Sequence, residues 1–390
     1  VMALRMGYKW SDIEDSMFKG ILQAMQAIII LAIIGILIGV WLKAGVVPTM
    51  IYYGLKIISP QIFLVASLII CSITSLATGT SWGTAGTIGV ALMGVAGGLG
   101  IPAPIAAGAI ISGSYFGDKM SPLSDTTNLA PAMAGTDVFT HVKFMFKPTS
   151  IAYAITLVFF AVVGMRFNSA TVDMAAIEVI KDGIYNNFKI TPLLFLPPLV
   201  VILSIAKKMP AIPGIFLGII LGAVLGVILQ GASFGEILEV GYDGYVSTTG
   251  IVSIDELLTT GGLTNMFFSI SLTIFAMMFG GIMERTGQLE VIVEKLVKNV
   301  KSDPGLVGLT MATCLASNMT MPEQYIAVVL PGRMYAQTYH DRGLHPKTLS
   351  NALESSGTLV SALVPWNTCG AFLTGVLGVS TFAYAPWAMF

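Results

Sequence analysis

The chain has 390 residues, of which 55% are hydrophobic and only 11% are charged, with a formal net charge of −1 at pH 7. Soluble domains carry about 25% charged residues, so this composition excludes an ordinary soluble domain and indicates a multi-pass membrane protein. The net charge indicates nothing about partners, and without a basic patch no nucleic-acid partner is expected.

The first predicted elements are an amphipathic N-terminal segment at 1–20 and an apolar span at 21–42. The span is long enough to cross about 30 Å of hydrocarbon as a helix. Because the sequence opens with Val1 rather than an initiator methionine, we expect further residues before it in the natural protein.

Two polar stretches then interrupt apolar sequence. Residues 60–99 are two apolar arms joined by ATGTSWGTAG, a pattern that predicts a re-entrant hairpin. Residues 103–135 are one apolar segment interrupted by FGDKMSPLSDTTNLAP. Gly117, Pro122 and Pro131 disfavour a continuous helix there, because glycine lowers helix stability and proline lacks an amide donor. We therefore predict a broken transmembrane helix over 103–135.

The later elements follow the same order. The segment 135–147 is amphipathic, which predicts an interfacial helix. Residues 148–262 are predicted to hold connecting spans and an external connector. These spans are predicted near 149–166, 190–206 and 211–230, and a further span beyond the connector is predicted near 263–284. After them we predict a surface helix at 289–302, a second re-entrant hairpin at 305–336 with the tip ASNMTMPEQ, and a second broken helix at 347–378.

The stretches 21–147 and 263–390 are predicted to be two structural repeats. A shift of 240 positions places Gly117, Ser121, Leu123 and Gly135 on Gly357, Ser361, Leu363 and Gly375, and the tip Thr80 on Thr320. The matching order of span, hairpin and broken helix strengthens these few identities.

Basic residues orient the repeats. Lysine or arginine occurs in 135–147, 207–208 and 285–302, whereas 231–262 has five acids and no basic residue. Under the positive-inside rule the two repeats have opposite orientations. Inverted repeats with broken helices at the membrane midplane are a transporter architecture. The predicted fold class is an all-α polytopic membrane protein with two inverted-topology repeats, each with a re-entrant hairpin and a broken helix.

The first break carries the strongest candidate site, because charges at membrane depth are expensive and usually functional. Asp125 has no adjacent basic residue, and burial of such a carboxylate favours its protonated form. Its polar neighbours and the carbonyls of the break would supply hard oxygen ligands for Na+. These neighbours are Ser124, Thr126, Thr127 and Asn128. One carboxylate that holds either a cation or a proton is a sufficient mechanism for antiport; the alternative is that Asp125 only caps the helix that follows.

Other acids have equally balanced alternatives. Asp118 and Lys119 either take part in the site or neutralise each other, and Lys119 could replace a cation in the empty site. Glu323 at the second tip is either the matching acid of the other repeat or the partner of Arg333. Glu354 is either a second buried acid or a residue at the cytoplasmic mouth.

The remaining candidates are polar or soft side chains. Asn367 and Thr368 are predicted ion ligands because they align with Thr127 and Asn128 in swapped order. The hydroxyls of the tips either line the site or bond to their own helices. They belong to Thr78, Thr80, Ser81, Thr84 and Thr320. The histidines His141, His340 and His345 are expected to be solvated, and Cys71, Cys314 and Cys369 are expected to be packing residues.

At these motifs the sequence resembles the NhaC family of Na+/H+ antiporters. The resemblance rests on ATGTSWGTAGTIGVALMG (77–94), AAGAIISGSYFGDKMSPLSDTTNLAPAMAGTD (106–137) and VPTMIYYGLKIISPQIFL (47–64). It implies a prokaryotic cell-membrane transporter that exports Na+ in exchange for protons, works by elevator-like motion and forms dimers. It also implies an ion site that contains Asp118, Ser124, Asp125, Thr126 and Asn128. No cofactor is expected besides the transported Na+ and H+.

Three other functions stay open. Close relatives in that family resemble malate/lactate antiporters coupled to Na+ and protons, with Lys119 as the one candidate clamp for an organic acid. The stretch GTSWG (79–83) matches the nucleophile elbow of serine hydrolases, with Ser81 as nucleophile, but that motif needs a strand–turn–helix. A channel is disfavoured because inverted broken helices indicate alternating access.

Overall fold

The computed structural model describes residues 2–167, 174–288, 291, 300 and 302–390, and these residues are almost entirely helical. The first helices are α1 (Met2–Arg5), α2 (Trp10–Gln23), α3 (Met25–Lys43), α4 (Val46–Ile57), α5 (Pro60–Thr78), α6 (Ser81–Thr84), α7 (Val90–Gly98), α8 (Ala103–Met120), α9 (Asp125–Ala134) and α10 (Val138–Gly164). A π-helical turn, Ala85–Gly89, joins α6 to α7. Much of the predicted surface helix at 289–302 lies outside the described residues.

The second part continues with α11 (Met174–Asn187), α12 (Leu196–Ala206), α13 (Ala211–Leu225), α14 (Phe234–Asp243), α15 (Val252–Leu258), α16 (Phe267–Thr286), α17 (Asp303–Thr320), α18 (Gln324–Asp341), α19 (Pro346–Leu353), α20 (Thr368–Leu377) and α21 (Thr381–Tyr384). Short 3₁₀ or π segments extend several of them, among them Pro192–Phe195 before α12, Gly226–Gln230 after α13, and Glu354–Thr358 with Leu359–Leu363 after α19. Within the described residues the one β-bridge pairs Tyr245 with Thr260.

Five helices in the described residues are long and apolar enough to cross a membrane, and the number rises to seven if each of two bent pairs forms one span. The five are Met25–Lys43, Pro60–Thr78, Val138–Gly164, Ala211–Gln230 and Thr264–Thr286. The protein is therefore an all-α, multi-pass membrane protein, as its composition predicts. One difference concerns 135–147: this segment is not a separate interfacial helix, because most of it forms the start of α10.

A pair of helices joined by a tight turn occurs at both predicted hairpins, whose re-entrant geometry stays a prediction. The first turn is possible because Gly79 adopts φ +72°, a left-handed conformation that side chains other than glycine rarely adopt. Thr80 then caps α6 by accepting a hydrogen bond from the Gly83 amide. In the second pair, α17 ends at Thr320 and Glu323 caps α18.

Both predicted helix breaks are present, but their causes differ in part from the prediction. The first break separates α8 from α9 at residues 121–124 and contains Pro122. Gly117 lies inside α8 and Pro131 inside α9, so neither residue breaks the helix. The second break, at 364–367, bends Pro346–Leu363 relative to Thr368–Leu377 by 46°.

Equivalent features of the two halves recur 243 positions apart rather than 240. Two ten-residue helices start at 125 and 368, and each ends before a glycine with positive φ, Gly135 and Gly378. The Ser75 hydroxyl donates to the Ser114 carbonyl, and the Asn318 amide, 243 positions later, donates to the Gly357 carbonyl, also 243 positions later. These pairs support the internal repeat, whose inverted orientation stays a prediction, and they move its register by three residues.

The chain divides into two compact units whose boundaries do not follow the predicted repeats. The first unit contains Val1–Ile28, Pro122–Thr149 and Ser269–Thr374, and the second contains the rest. In the first unit, α17 and α18 are held together by hydrogen bonds from Tyr335 to Thr313 and from Tyr339 to Thr310. In the second unit the buried Trp41 indole donates to the Gly218 carbonyl at 3.0 Å.

Candidate ion-binding site

The first hairpin turn and the end of α8 bring Ser81 and Asp118 together in the second unit. The Ser81 hydroxyl donates to Oδ2 of Asp118 at 2.6 Å, and the Ser81 amide donates to the same oxygen at 3.2 Å. The Asp118 side chain is only 6% exposed, and the neighbouring Lys119 is also buried. Asp118, near the end of α8, is therefore a buried carboxylate that accepts hydrogen bonds from Ser81 at the start of α6.

Asp125 lies at the first break but is exposed. It is the first residue of α9, and the capping residue is Ser124, whose hydroxyl accepts a hydrogen bond from the Thr127 amide. The Tyr325 hydroxyl approaches Oδ2 of Asp125 at 3.5 Å. The expectation that Asp125 is the buried carboxylate of this stretch is therefore wrong, and so is the alternative that its side chain caps α9. Its part in ion binding stays a prediction.

The other predicted ligands near the first break divide into two groups. Asn128 is exposed, and its amide donates to the carbonyls of Pro122 and Ser124 at 2.9 and 2.6 Å. Thr126 and Thr127 are buried, as is the Ser124 side chain. The structure therefore does not gather the five predicted ligands of this stretch around one point.

The buried group forms a chain of hydroxyls that leads to Glu354 in the first unit. The Thr126 hydroxyl donates to Oε1 of Glu354 at 3.2 Å. The Ser124 and Thr126 hydroxyl oxygens are 3.1 Å apart. Since Thr126 gives its proton to the carboxylate, Ser124 is the donor of the second bond. Glu354 has no measurable exposure, so it is a buried acid, and its distance from the cytoplasmic mouth stays a prediction.

Glu323 caps α18 at the second hairpin turn. Its Oε2 accepts a hydrogen bond from the Ile326 amide at 3.1 Å, and the side chain is buried. Among the described residues no ion pair joins it to Arg333. The carboxylate is therefore held by backbone amides at a helix N-terminus, where the helix dipole also favours negative charge.

A network of amide side chains fills the second hairpin turn and the second break. The Asn367 amide donates to Oδ1 of Asn318 at 3.0 Å, and Oδ1 of Asn367 accepts from the Cys369 amide at 3.0 Å. The Gln324 amide donates to the Thr358 carbonyl at 3.3 Å. The Thr368 amide donates to the Pro322 carbonyl at 3.0 Å.

Asn318 and Gln324 are site residues that the sequence reasoning missed. Both are buried and belong to this network. Both residues belong to ASNMTMPEQ, the stretch predicted to form the tip of the second hairpin. An uncharged amide in an apolar arm needs a buried hydrogen-bond partner, and that requirement could have identified both residues.

Most of the predicted tip hydroxyls bond within their own helices. Thr78, Thr84 and Thr320 donate to the carbonyls of Thr74, Thr80 and Ala316. This is the common behaviour of threonine four residues beyond a helix carbonyl. Ser81 is the exception, because its hydroxyl reaches Asp118.

The prediction that all three histidines are solvated is wrong for His141. It lies on α10 with no measurable exposure, and its Nδ1 is 2.8 Å from the Ser350 hydroxyl. The error follows from reading 135–147 as an interfacial helix. His340 and His345 are exposed as predicted. All three cysteines are free and buried, in agreement with the packing role expected of them.

The chemistry offered by these groups is that of oxygen ligands. No group of three or more His, Cys, Asp or Glu side chains that could hold a metal ion occurs among the described residues. Carboxylates and hydroxyls suit hard cations such as Na+, and a carboxylate also accepts a proton. Asp118 with Ser81, and Glu354 with Thr126, have these properties in a buried setting.

Comparison with known proteins identifies the family. Residues 113–390 match the model described as the Na+/H+ antiporter family. The chain belongs to this family. The NhaC antiporter of Alkalihalophilus pseudofirmus is 39% identical over 99% of this chain and 83% of its own length.

Other relatives show the range of substrates named within this antiporter family. The malate-2H+/Na+-lactate antiporter of Bacillus subtilis is 40% identical over 99% of this chain and 83% of its own length. The arginine/ornithine antiporter ArcD of Halobacterium salinarum is 36% identical over 98% of this chain and 79% of its own length. These relatives are named as antiporters and not as enzymes. Ser81 begins a helix that follows a helical arm, so GTSWG does not have the strand–turn–helix geometry of a nucleophile elbow.

Proposed function

We propose that this protein exchanges Na+ for H+ across the cell membrane by alternating access. The observation that carries the proposal is the buried carboxylate of Asp118, held by Ser81 at the turn of the first hairpin. Membership of the Na+/H+ antiporter family and the NhaC relatives support the choice of ions.

Asp118 is the group at which the two ions compete. When ionised it offers an oxygen ligand to Na+, and the Ser81 hydroxyl can turn its lone pairs toward the cation while its amide stays on Oδ2. When protonated it has no charge to offset that of a cation in a low-dielectric site, so Na+ leaves. This mutual exclusion couples the two fluxes.

Glu354 is a second carboxylate with the same properties. Its Oε1 accepts a hydrogen bond from the Thr126 hydroxyl, whose oxygen lies 3.1 Å from that of Ser124. Thr126 and Ser124 therefore act as partners of Glu354 in this proposal rather than as ligands around Asp125. Glu323, Asn367 and Thr368 hold the second hairpin turn and the second break together.

The conformational part of the proposal follows the predicted architecture. Two inverted repeats would allow one part of the protein to present its site to either side of the membrane in turn. We infer an elevator-like movement in a homodimer, in keeping with the family resemblance. Buried polar side chains occur at both hairpin turns and at both helix breaks. This placement supports an ion site that moves together with the helices that form it.

A second candidate is exchange of small carboxylates coupled to Na+ and protons. The observation in its favour is the 40% identity to an antiporter named for malate and lactate. Lys119, buried next to Asp118, is the cation that could pair with an organic acid. Arginine or ornithine exchange is a further outcome to be tested, since one relative is named for it.

The experiment is transport by the purified protein in liposomes with an imposed pH gradient. Internal pH and radioactive Na+ are followed while Na+, Li+, K+, malate, lactate or arginine is supplied alone. We expect Na+ alone to collapse the pH gradient, with Na+ moving in the opposite direction to protons. A strict requirement for malate or lactate would instead support the second candidate, the exchange of small carboxylates. Proton movement with arginine and none with Na+ would contradict both.

A further inference from the structure

The start of α10 presents a cluster of lysine and phenylalanine side chains that the transport mechanism does not use. Lys143 and Lys147 are the only formally charged residues between Val138 and Gly164, and both are exposed. Residues four apart lie on the same face of a helix. Neither lysine has an acidic partner within salt-bridge distance in the described part of the chain.

Four further side chains complete the cluster. Lys347, the only charged residue of α19, lies over the ring of Phe144 with its ammonium 5.3 Å from the ring centroid. This contact brings a third positive charge next to α10. Phe139 and Phe146 are 82% and 62% exposed. We call these six residues, Phe139, Lys143, Phe144, Phe146, Lys147 and Lys347, the basic-aromatic patch.

The length of α10 places the patch at the membrane surface. The helix has 27 residues and so is about 40 Å long at a rise of 1.5 Å per residue. The hydrocarbon layer is about 30 Å thick, so about 10 Å must extend beyond it. The apolar run toward Gly164 occupies the hydrocarbon, and the excess therefore lies at the start of α10.

Side-chain direction brings Lys147 to the same level. Helical side chains tilt toward the N-terminus of their helix, which here is the headgroup side. Lys147 can therefore extend its ammonium group into the headgroup layer, where the backbone of Lys143 lies. Phenylalanine together with lysine is the combination found on helical segments that contact the membrane interface.

We propose that the basic-aromatic patch binds the headgroup of an anionic phospholipid. Three lysines that form no ion pair with any described residue match a phosphate that carries net negative charge, whereas the added positive group of a zwitterionic lipid would be repelled. The exposed phenylalanines contact the upper part of the acyl chains. Each lysine near an anionic membrane surface strengthens binding about fivefold, so three of them produce clear selectivity.

The test is native mass spectrometry of the purified full-length chain, titrated with phosphatidylglycerol or phosphatidylcholine. We expect at least tenfold tighter binding of phosphatidylglycerol to the wild type. The triple variant K143Q/K147Q/K347Q should bind the two lipids nearly equally. The variant K143R/K147R/K347R should keep the preference for phosphatidylglycerol, because it retains the three positive charges.

The matched control is Lys19→Gln. Lys19 is also exposed, but its ammonium is 2.7 Å from Asp15, so its loss should leave the lipid preference unchanged. Thermal melting in phosphatidylcholine nanodiscs verifies that each variant is folded. Equal binding of both lipids by the wild type, or an unchanged preference in the folded glutamine variant, would overturn the proposal. Lipid binding and thermal melting are both measured without transport. A negative result for the lipid site therefore leaves the proposal of Na+/H+ exchange untouched, and a negative transport result leaves the lipid site untouched.

Discussion

Asp118 and Asp125 belong to the same polar stretch, but their surroundings differ completely. Asp118 is buried and bound by Ser81, whereas Asp125 begins α9 and is exposed. A buried carboxylate must be neutralised by a proton or a cation, while an exposed one is stabilised by water. The first is therefore the better candidate for exchange, and the part of Asp125 in ion binding stays a prediction.

This difference predicts opposite outcomes for two conservative substitutions. Asp118→Asn should abolish Na+-driven proton movement in proteoliposomes, at least tenfold below the wild type, because asparagine cannot carry the proton. Asp125→Asn should keep the exchange rate at saturating Na+ and raise the half-saturating Na+ concentration a few-fold. Size-exclusion profiles verify the fold of both variants. Wild-type exchange by Asp118→Asn, or its loss in Asp125→Asn alone, would return the central role to Asp125.

At the scale of elements, close packing of α5 against α8 positions Ser81 and Asp118. The two helices approach at Gly117, where a Cβ atom would lie 2.5 Å from the Ser72 carbonyl oxygen and 2.6 Å from the Leu76 amide. Both contacts are with backbone, so neither can move aside easily. Gly117 was predicted to break the helix, but its role is to let a second helix come near.

Replacing Gly117 tests this packing. Gly117→Ala should destabilise the protein by about 1–3 kcal/mol, the usual cost of an overpacked contact, and should lower the exchange rate because α8 carries Asp118. Thermal melting in detergent measures the first effect. The control is Gly308→Ala, since no atom lies within 4 Å of its added Cβ. That variant should be neutral or up to about 1 kcal/mol more stable, because alanine favours helix. Equal melting temperatures for both variants would refute the packing argument.

At the scale of the whole molecule, the acid-rich connector at 231–262 is ordered by one of its own carboxylates. Asp255 accepts hydrogen bonds from the hydroxyls of Thr249 and Ser247 and from the amides of Thr249 and Gly250. These donors, with Thr249 the strongest, hold the pKa of Asp255 below its ordinary value. The charged form therefore stabilises the folded connector.

The sign of this shift makes the stabilisation depend on pH. It is complete above the pKa of the unfolded chain and is lost as the pH falls through the lower pKa of the folded state. Asp255→Asn should speed hydrogen exchange at the amides of Thr249 and Gly250 at pH 7. The difference from the wild type should persist near pH 4 and vanish at lower pH. Glu256→Gln is the control, because its side chain makes no hydrogen bond in the described residues. Equal exchange in all three proteins at pH 7 would exclude the role of Asp255.

Local chemistry made much of the architecture predictable. Composition determines the membrane class, because apolar helices of this length are stable only in lipid. The hairpin turns and the first break follow from Gly79, Thr80 and Pro122, whose backbone preferences act within a few residues. Lysine counts and repeat order pointed to a transporter, and the antiporter family agrees with that prediction.

Contacts between distant parts of the chain could not be predicted in this way. Thr126 and Glu354 are 228 positions apart, and His141 and Ser350 are 209 apart. Whether an acid is buried depends on which helices pack over it. The residues next to the acid in the sequence do not show which helices these are. The sequence by itself therefore determined the membrane class, the order of helices and the polar stretches. Only the tertiary structure decided which carboxylates in those stretches are sheltered from water, since burial is a property of packing.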